Sequence, residues 1–304
     1  MPELPEVETL RRALARTLIG RSFASVEVRL PKMLVSPHGW TVDDLVGKRI
    51  TSLRRRAKFL IFDLTDEAAL VFHFRLAGQL AHRAADGTTL AEGGHPVPAF
   101  GSPLPHKSTH MIFLLDDGSV LYLTDIRQFG RVWFVSAPAA EALLEGAGLG
   151  PEPLQPEFSL KLLRDRLGRR PRAQLKPLLL DQRFVGGVGN IYADEIVFES
   201  RLGPATRAGE ITGARLKRLH GAIRSVLDHA VREGVAQILN GKASPDSAFP
   251  KVHGREGQAC PRCGTIVVKT KFAGRGTYTC PRCQGSTSRQ QSAVSVDDTP
   301  QAAC

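Results

Sequence analysis

Gln174-Leu175-Lys176-Pro177-Leu178-Leu179-Leu180, followed by Phe184-Val185-Gly186-Gly187-Val188-Gly189-Asn190 and a helical stretch over 191–200, reads as helix, glycine-rich turn, helix. Three glycines in the turn permit tight backbone bends and close approach of a neighbour. The free N–H groups at the start of the second helix can hold a phosphate, and Asn190 is a natural N-cap. On the turn alone, an ordinary helical hairpin and a DNA-contacting one stand equally open.

The surroundings extend the helical reading. Leu160, Leu163 and Leu167 share one helical face, and Leu216, Leu219, Ile223, Val226 and Ala230 another. Before about residue 156 the period is two. Val26, Val28 and Leu30 alternate with polar residues, as do Leu70, Phe72, Phe74 and Leu76, with His73 and Arg75 opposite. Arg54-Arg55-Arg56-Ala57-Lys58 leads into Phe59-Leu60-Ile61-Phe62, and Asp117-Gly118 marks a hairpin inside the run 111–123. Short strands with turns suggest a β-sandwich. Residues 81–106, rich in Gly, Pro and Ala, read as a surface loop. Val7, Leu10, Leu14 and Leu18 mark an opening helix that Gly20 can end.

The 304 residues suggest about two domains. Lys and Arg number 41 against 30 Asp and Glu, a net charge of +11, which favours an anionic partner, nucleic acid first. Ribosomal and membrane-surface proteins share that balance. No apolar run reaches the roughly 18 residues of a membrane span, and no signal peptide opens the chain. The expectation is a cytoplasmic, monomeric protein. Cys260, Cys263, Cys280 and Cys283 are spaced C-x2-C-x16-C-x2-C, which fits one tetrahedral structural zinc ion closed by four thiolates. A pair of disulfides is the competing reading, disfavoured in a reduced compartment. Cys304 is read as an unpaired tail thiol, and the polar stretch from Gly285 as a disordered tail.

The head of the chain, Met1-Pro2-Glu3-Leu4-Pro5-Glu6-Val7-Glu8, carries chemistry if Met1 is removed. Pro2 then bears a secondary α-amine titrating near about pH 7.7–8.0, able to form a cationic iminium with a carbonyl-level carbon. Glu3 stands beside it as an acid or base. The plainer alternative is that Pro5 and Glu6 simply start a helix.

Five pieces in order, Pro2 to Glu8, Arg56-Ala57-Lys58, Asp125-Ile126-Arg127-Gln128-Phe129-Gly130, Gly187-Val188-Gly189-Asn190-Ile191-Tyr192-Ala193, and Arg275 within the four-cysteine element, resemble the Fpg/Nei family of DNA glycosylases. The resemblance runs from Pro2 to about Cys283. It implies an α+β fold: an N-terminal β-sandwich catalytic domain flanked by helices (1–140), a helical domain with a helix-two-turn-helix (150–240), a zinc finger (250–284) and the tail (285–304). It also implies a bifunctional glycosylase and lyase that excises oxidised purines from damaged double-stranded DNA and cuts the strand by β,δ-elimination. Pro2 would be the Schiff-base nucleophile, Glu3 the acid/base, Lys58 the helper of β-elimination, and Arg275 the finger-tip phosphate grip that assists δ-elimination. Glu6 and Lys176 would line the lesion pocket; Asn190, Arg172, His73 and His110 would contact the DNA backbone; Arg127 and Phe129 would fill the stack when a base is flipped.

Three departures bear on specificity. Leu76 stands where the Fpg branch usually has a void-filling methionine, the stretch Asp125-Ile126-Arg127-Gln128 lacks the second basic residue frequent there, and the segment Val235–Val252 looks short for a loop closing over 8-oxoguanine. The expectation is preference for formamidopyrimidines over 8-oxoguanine. Endonuclease VIII-like action on oxidised pyrimidines is the alternative, and a non-catalytic zinc-dependent DNA-binding protein the alternative outside enzymes.

Overall fold

The computed structural model describes residues 1–37, 39–233, 235, 238–239, 242–243 and 248–285. Helix α1 (Leu4–Leu18) turns its apolar stripe of Val7, Leu10, Leu14 and Leu18 fully inward and ends where Gly20 takes a φ of +90°. Ten strands follow: β1 (Phe23–Val28), β2 (Leu34–Val35), β3 (Ile50–Arg56), β4 (Phe59–Leu64), β5 (Ala68–His73), β6 (Gly78–Arg83), β7 (Thr89–Gly94), β8 (Thr109–Leu115), β9 (Val120–Asp125) and β10 (Arg131–Ser136). They form two five-stranded sheets, ordered β1-β8-β9-β6-β7 and β2-β10-β5-β4-β3. Phe23, Phe62, Phe72, Phe113 and Phe134 from both sheets meet α1 in one core, where the alternation of strand side chains delivers them.

Residues 81–106 are not one surface loop: β6 and β7 pair as a hairpin within them. The small residues that resembled a loop are packing requirements. A Cβ on Gly93 would sit 3.1 Å from Leu10 Cβ, so the missing side chain lets β7 lie close against α1 without displacing Leu10.

After α2 (Ala137–Gly146) the chain becomes helical, with α3 (Leu160–Gly168), α4 (Leu175–Leu180), α5 (Asn190–Glu199) and α6 (Gly213–Glu233) around a second apolar core that includes Leu163, Leu179, Val188, Tyr192, Ile196 and Leu227. Two-residue strands β11 (Ile238–Leu239) and β12 (Lys242–Ala243) pair with each other. The finger hairpin β13 (Val268–Phe272) and β14 (Arg275–Thr279) precedes α7 (Pro281–Gln284). Residues 236–237, 240–241 and 244–247 of the segment Val235–Val252, and the tail from 286 with Cys304, lie outside the described residues. Among those described, no helix is long and apolar enough to cross a membrane.

Candidate active site and nucleic-acid interface

The glycine turn seats a carboxylate. Glu3 caps α1, and its side chain reaches across to the first turn of α5, where the amides of Gly189 (2.6 Å), Ile191 (3.0 Å) and Tyr192 (3.4 Å) donate to it. The positive end of the α5 dipole adds to this attraction. A Cβ on Gly189 would fall 2.4 Å from Glu3 Cδ, and one on Gly187, at φ +90°, 2.6 Å from Leu4 Cβ. The glycines therefore make room for Glu3 and Leu4. The amides expected to face a phosphate are already occupied by Glu3. Gly189, rather than Asn190, is the N-cap; Asn190 is the first helical residue, and its Nδ2 donates to Gly276 O at 3.0 Å.

Glu6 lies one turn along α1. The Glu3 amide donates to its Oε2 (2.9 Å) and the Tyr192 hydroxyl to its Oε1 (2.6 Å). Burial, reinforced by the charge of Glu3, pushes the Glu6 pKa up to about 7, so this carboxyl can hold a proton near neutrality. Pro2 is buried behind Met1. Burial also lowers the pKa of the amine on Met1, with Glu3 and Glu6 opposing.

Lys58 is the second residue of the two-residue β3–β4 turn, in which Ala57 takes a φ of +51°. It is 6% exposed; burial lowers its pKa, the charges of Glu3 and Glu6 raise it, and Arg275 lowers it further. Its turn is held from the linker after α2. Glu152 accepts from the Ala57 amide, from Arg55 Nη2 (2.9 Å) and from Arg56 Nη1 (3.1 Å), while Arg55 Nε donates to Glu8 (3.1 Å). Sequence reading missed Glu152 and Glu8, because only the fold brings them to the lysine.

Two turns cross between the sheets side by side, since His73 pairs with Arg131 and Gly78 with Asp125. They expose Leu76 on one and Arg127 and Phe129 on the other, with the Arg127 guanidinium 5.4 Å from the Phe129 ring centre. Fully buried Asp125 shapes the second turn by accepting from the amides of Arg127 (2.9 Å) and Gly130 (2.7 Å). His110 is buried, its Nε2 donating to Asp125 O at 2.9 Å, so it supports this turn from beneath. His73 Nδ1 accepts from the Arg75 amide (3.1 Å), and burial, with Arg75 and Lys58 nearby, takes its pKa down to about 3. It is thus a neutral imidazole whose Nε2–H remains a donor. Arg172 is exposed on the loop before α4.

The finger brings Arg275 to the same place. Ala273 and Gly274, both at positive φ, make the two-residue turn that leaves Arg275 exposed at the start of β14. Beneath it the Sγ atoms of Cys260, Cys263, Cys280 and Cys283 lie within 4.8 Å of one another, with pairs at 3.4, 3.5 and 3.9 Å. Zinc–sulfur arms of about 2.3 Å at tetrahedral angles require separations of about 3.8 Å, whereas a disulfide is about 2.05 Å. The four thiols fit one zinc ion. Lys176, expected in a lesion pocket, is 1% exposed, and its ammonium is engaged by Asp194 and the finger instead.

Residues 1–132 match the family model for the formamidopyrimidine-DNA glycosylase N-terminal domain, 149–240 that for the H2TH domain, and 257–285 that for a zinc finger found in FPG and IleRS. Formamidopyrimidine-DNA glycosylases of Pelotomaculum thermopropionicum and Heliobacterium modesticaldum are 39% and 40% identical over 93% of this chain and 99% and 100% of theirs. Lactococcus lactis Fpg bound to DNA containing an N7-benzyl-Fapy-dG superposes with a TM-score of 0.81 at 31% identity, covering 94% of this chain and all of that one. The same protein in complex with DNA containing an oxidised pyrimidine gives 0.80 at 32%, again over 94% of this chain.

Proposed function

Because the chain belongs to the formamidopyrimidine-DNA glycosylase family, we propose that it excises oxidised purines, formamidopyrimidines and 8-oxoguanine, from duplex DNA and cleaves the strand in base excision repair. The observation that carries the mechanism is the seating of Glu3 on α5, immediately beside Pro2, with buried Lys58 within reach of its charge.

The target base is extruded, since a duplex hides its glycosidic bond. Leu76, Arg127 and Phe129 fill the gap, and His73, Arg172, Asn190 and Arg275 bind phosphates. Once Met1 is removed, the Pro2 nitrogen attacks C1′, the base departs, and Glu3 protonates the ribose ring oxygen as the ring opens to the iminium. Glu6, with its raised pKa, stands as a proton reserve beside Glu3. Lys58, its pKa lowered by burial, takes part in proton removal for β-elimination, and Arg275 steadies the phosphate that leaves in δ-elimination. Zinc, when bound, holds the finger's shape and takes no chemical part, because four thiolates close its coordination.

The division into 1–140, 150–240, 250–284 and a tail over 285–304 belongs to the same reading, supported by separate apolar cores in the sandwich and the helices and by a third cluster that packs the finger against Phe198 of α5. So does action as a monomer in the cytoplasm, on the nucleoid. The test is borohydride trapping on duplexes carrying formamidopyrimidine, 8-oxoguanine or thymine glycol. A covalent adduct at the N-terminal peptide is expected, excision being fastest on formamidopyrimidine. A full-strength adduct on an internal lysine refutes Pro2, and fastest excision of thymine glycol replaces the purine reading with the pyrimidine one. Glu3→Gln should suppress base excision while sparing much of the cleavage at a ready-made abasic site; equal loss on both assigns Glu3 a structural role.

A further inference from the structure

Two adjacent acids on α5, Asp194 and Glu195, are each 1% exposed, and neither reaches the nucleophile. Both face the finger. Glu195 accepts from the amides of Lys251 (2.7 Å), Val252 (2.9 Å) and His253 (2.8 Å), on the chain entering it. Asp194 Oδ2 accepts from the Tyr278 amide (3.3 Å) and pairs with His253 Nδ1 (2.7 Å), while its Oδ1 pairs with Lys176 Nζ (2.7 Å). Lys176 spends its other donors on Gly276 O (3.0 Å) and Thr277 Oγ1 (2.7 Å), and the Thr277 hydroxyl donates to Arg275 O (3.1 Å). The links from Asp194 through Lys176 to Thr277 are buried, the last, from the Thr277 hydroxyl to Arg275 O, is part-buried, and each has a defined direction.

We propose that Asp194 is a positioning residue: through Lys176, His253 and the Tyr278 amide it locks the strand bearing Arg275 in register with the helix N-terminus that seats Glu3. Lys176 is then a strut between α4 and the finger, not a group that touches the flipped base. The physical case is directional. Apolar contacts between α5 and β14 would tolerate sliding by an ångström, whereas a buried ion pair with every donor matched tolerates very little. Glu3 is held by the amides of Gly189, Ile191 and Tyr192, two to five residues before Asp194 at the start of the same helix, so one element fixes both the acid and the phosphate grip. This assignment rests on the reading of Arg275 given above, and the experiment separates the two.

The zinc-loaded full-length protein is compared with Asp194→Asn, with Lys176→Met/Asp194→Asn, with Arg275→Ala, and with Asp194→Asn/Arg275→Ala. On an abasic-site duplex, Asp194→Asn should lower the ratio of δ- to β-elimination product about tenfold, and adding it to Arg275→Ala should lower that ratio no further. Amide exchange over Arg275–Thr279 should quicken while zinc content stays at one ion per chain. The charge-free Lys176→Met/Asp194→Asn pair, which leaves no lysine buried alone, should show the same loss. Parallel decline of β- and δ-products, additivity with Arg275→Ala, or unchanged exchange in β14 each overturns the proposal. Should the parent protein form no trapped adduct at all, the glycosylase reading fails, and the exchange result still decides whether Asp194 holds the finger.

Discussion

The β-sandwich and the junction between α5 and the finger are both buried, but they are buried by opposite chemistry. In the sandwich core the contacts are apolar: Phe62 lies 4.9 Å from Phe72 of the neighbouring strand ring to ring, and Phe72 lies 6.3 Å from Phe113 of the facing sheet. At the junction the interior holds Lys176, Asp194, Glu195 and His253, alongside a small apolar cluster of Phe198, Val252, Val267 and Tyr278. Apolar burial is non-directional and stabilises in proportion to area. Buried charge contributes little net stability but is costly to misplace. The sandwich therefore supplies a platform, and the junction supplies a register.

The largest effect expected from this contrast is at the finger. Its apolar cluster is too small to fold it unaided, and a structural zinc is worth about 10–16 kcal/mol in isolated finger peptides at neutral pH. Cys260→Ser should release the metal and cost most of the affinity for lesion DNA, because Arg275 loses its support. Circular dichroism should meanwhile show the sandwich and helices still folded. Zinc-free protein that binds and cleaves as the parent does would erase the distinction between the two regions.

Next comes the platform itself. Phe72 is 1% exposed between two aromatic neighbours, so Phe72→Ala should remove about 3–5 kcal/mol of stability, the usual cost of a buried aromatic truncated to alanine. Zinc content and the ratio of δ- to β-product should not change, as read by metal analysis and product gels on folded protein. A shift in that ratio would mean that the sandwich also sets the register.

The same contrast explains what the sequence made legible. Periodicity reports apolar burial, so α1, several of the strands (β1, β4, β5, β8 and β9) and the helices after residue 156 could be read from it. Fixed spacing reports metal ligands, so the four cysteines could be read too. Polar burial leaves no periodic trace. Asp194 and Glu195 resemble any surface pair of acids, and their partners Lys176, His253 and Tyr278 are far apart in the chain. One local signal did exist. Tyr192, Ala193, Ile196, Val197 and Phe198 leave α5 no polar face, so acids among them had to be buried and matched. The β6–β7 hairpin was missed for another reason: Gly93 and Gly94 are small because α1 and β6 lie against them, which imitates a loop's composition. Asn190 matched the preferences of a helix cap, but the cap fell one residue earlier, where only glycine leaves room for Glu3.

The smallest effect probes a carboxyl that belongs to both chemistries. Glu6 sits on α1, whose other face enters the apolar core, yet it accepts from Tyr192 on α5. Its folded pKa of about 7 lies above the ordinary 4.5, so the folded protein keeps this proton over a range in which the unfolded chain releases it. The stability it contributes is present in full below about pH 4.5 and is lost as pH rises through about 7. A shift of that size corresponds to a loss on the order of 3 kcal/mol at most. Glu6→Gln cannot ionise and escapes the loss. The difference in Tm between variant and parent should therefore move in the variant's favour from pH 5 to pH 8 and level off above it, whatever constant offset the altered hydrogen bonds to Tyr192 and the Glu3 amide introduce. A difference independent of pH would show that Glu6 ionises as an exposed carboxylate does, and the proton reserve beside Glu3 would then have no basis.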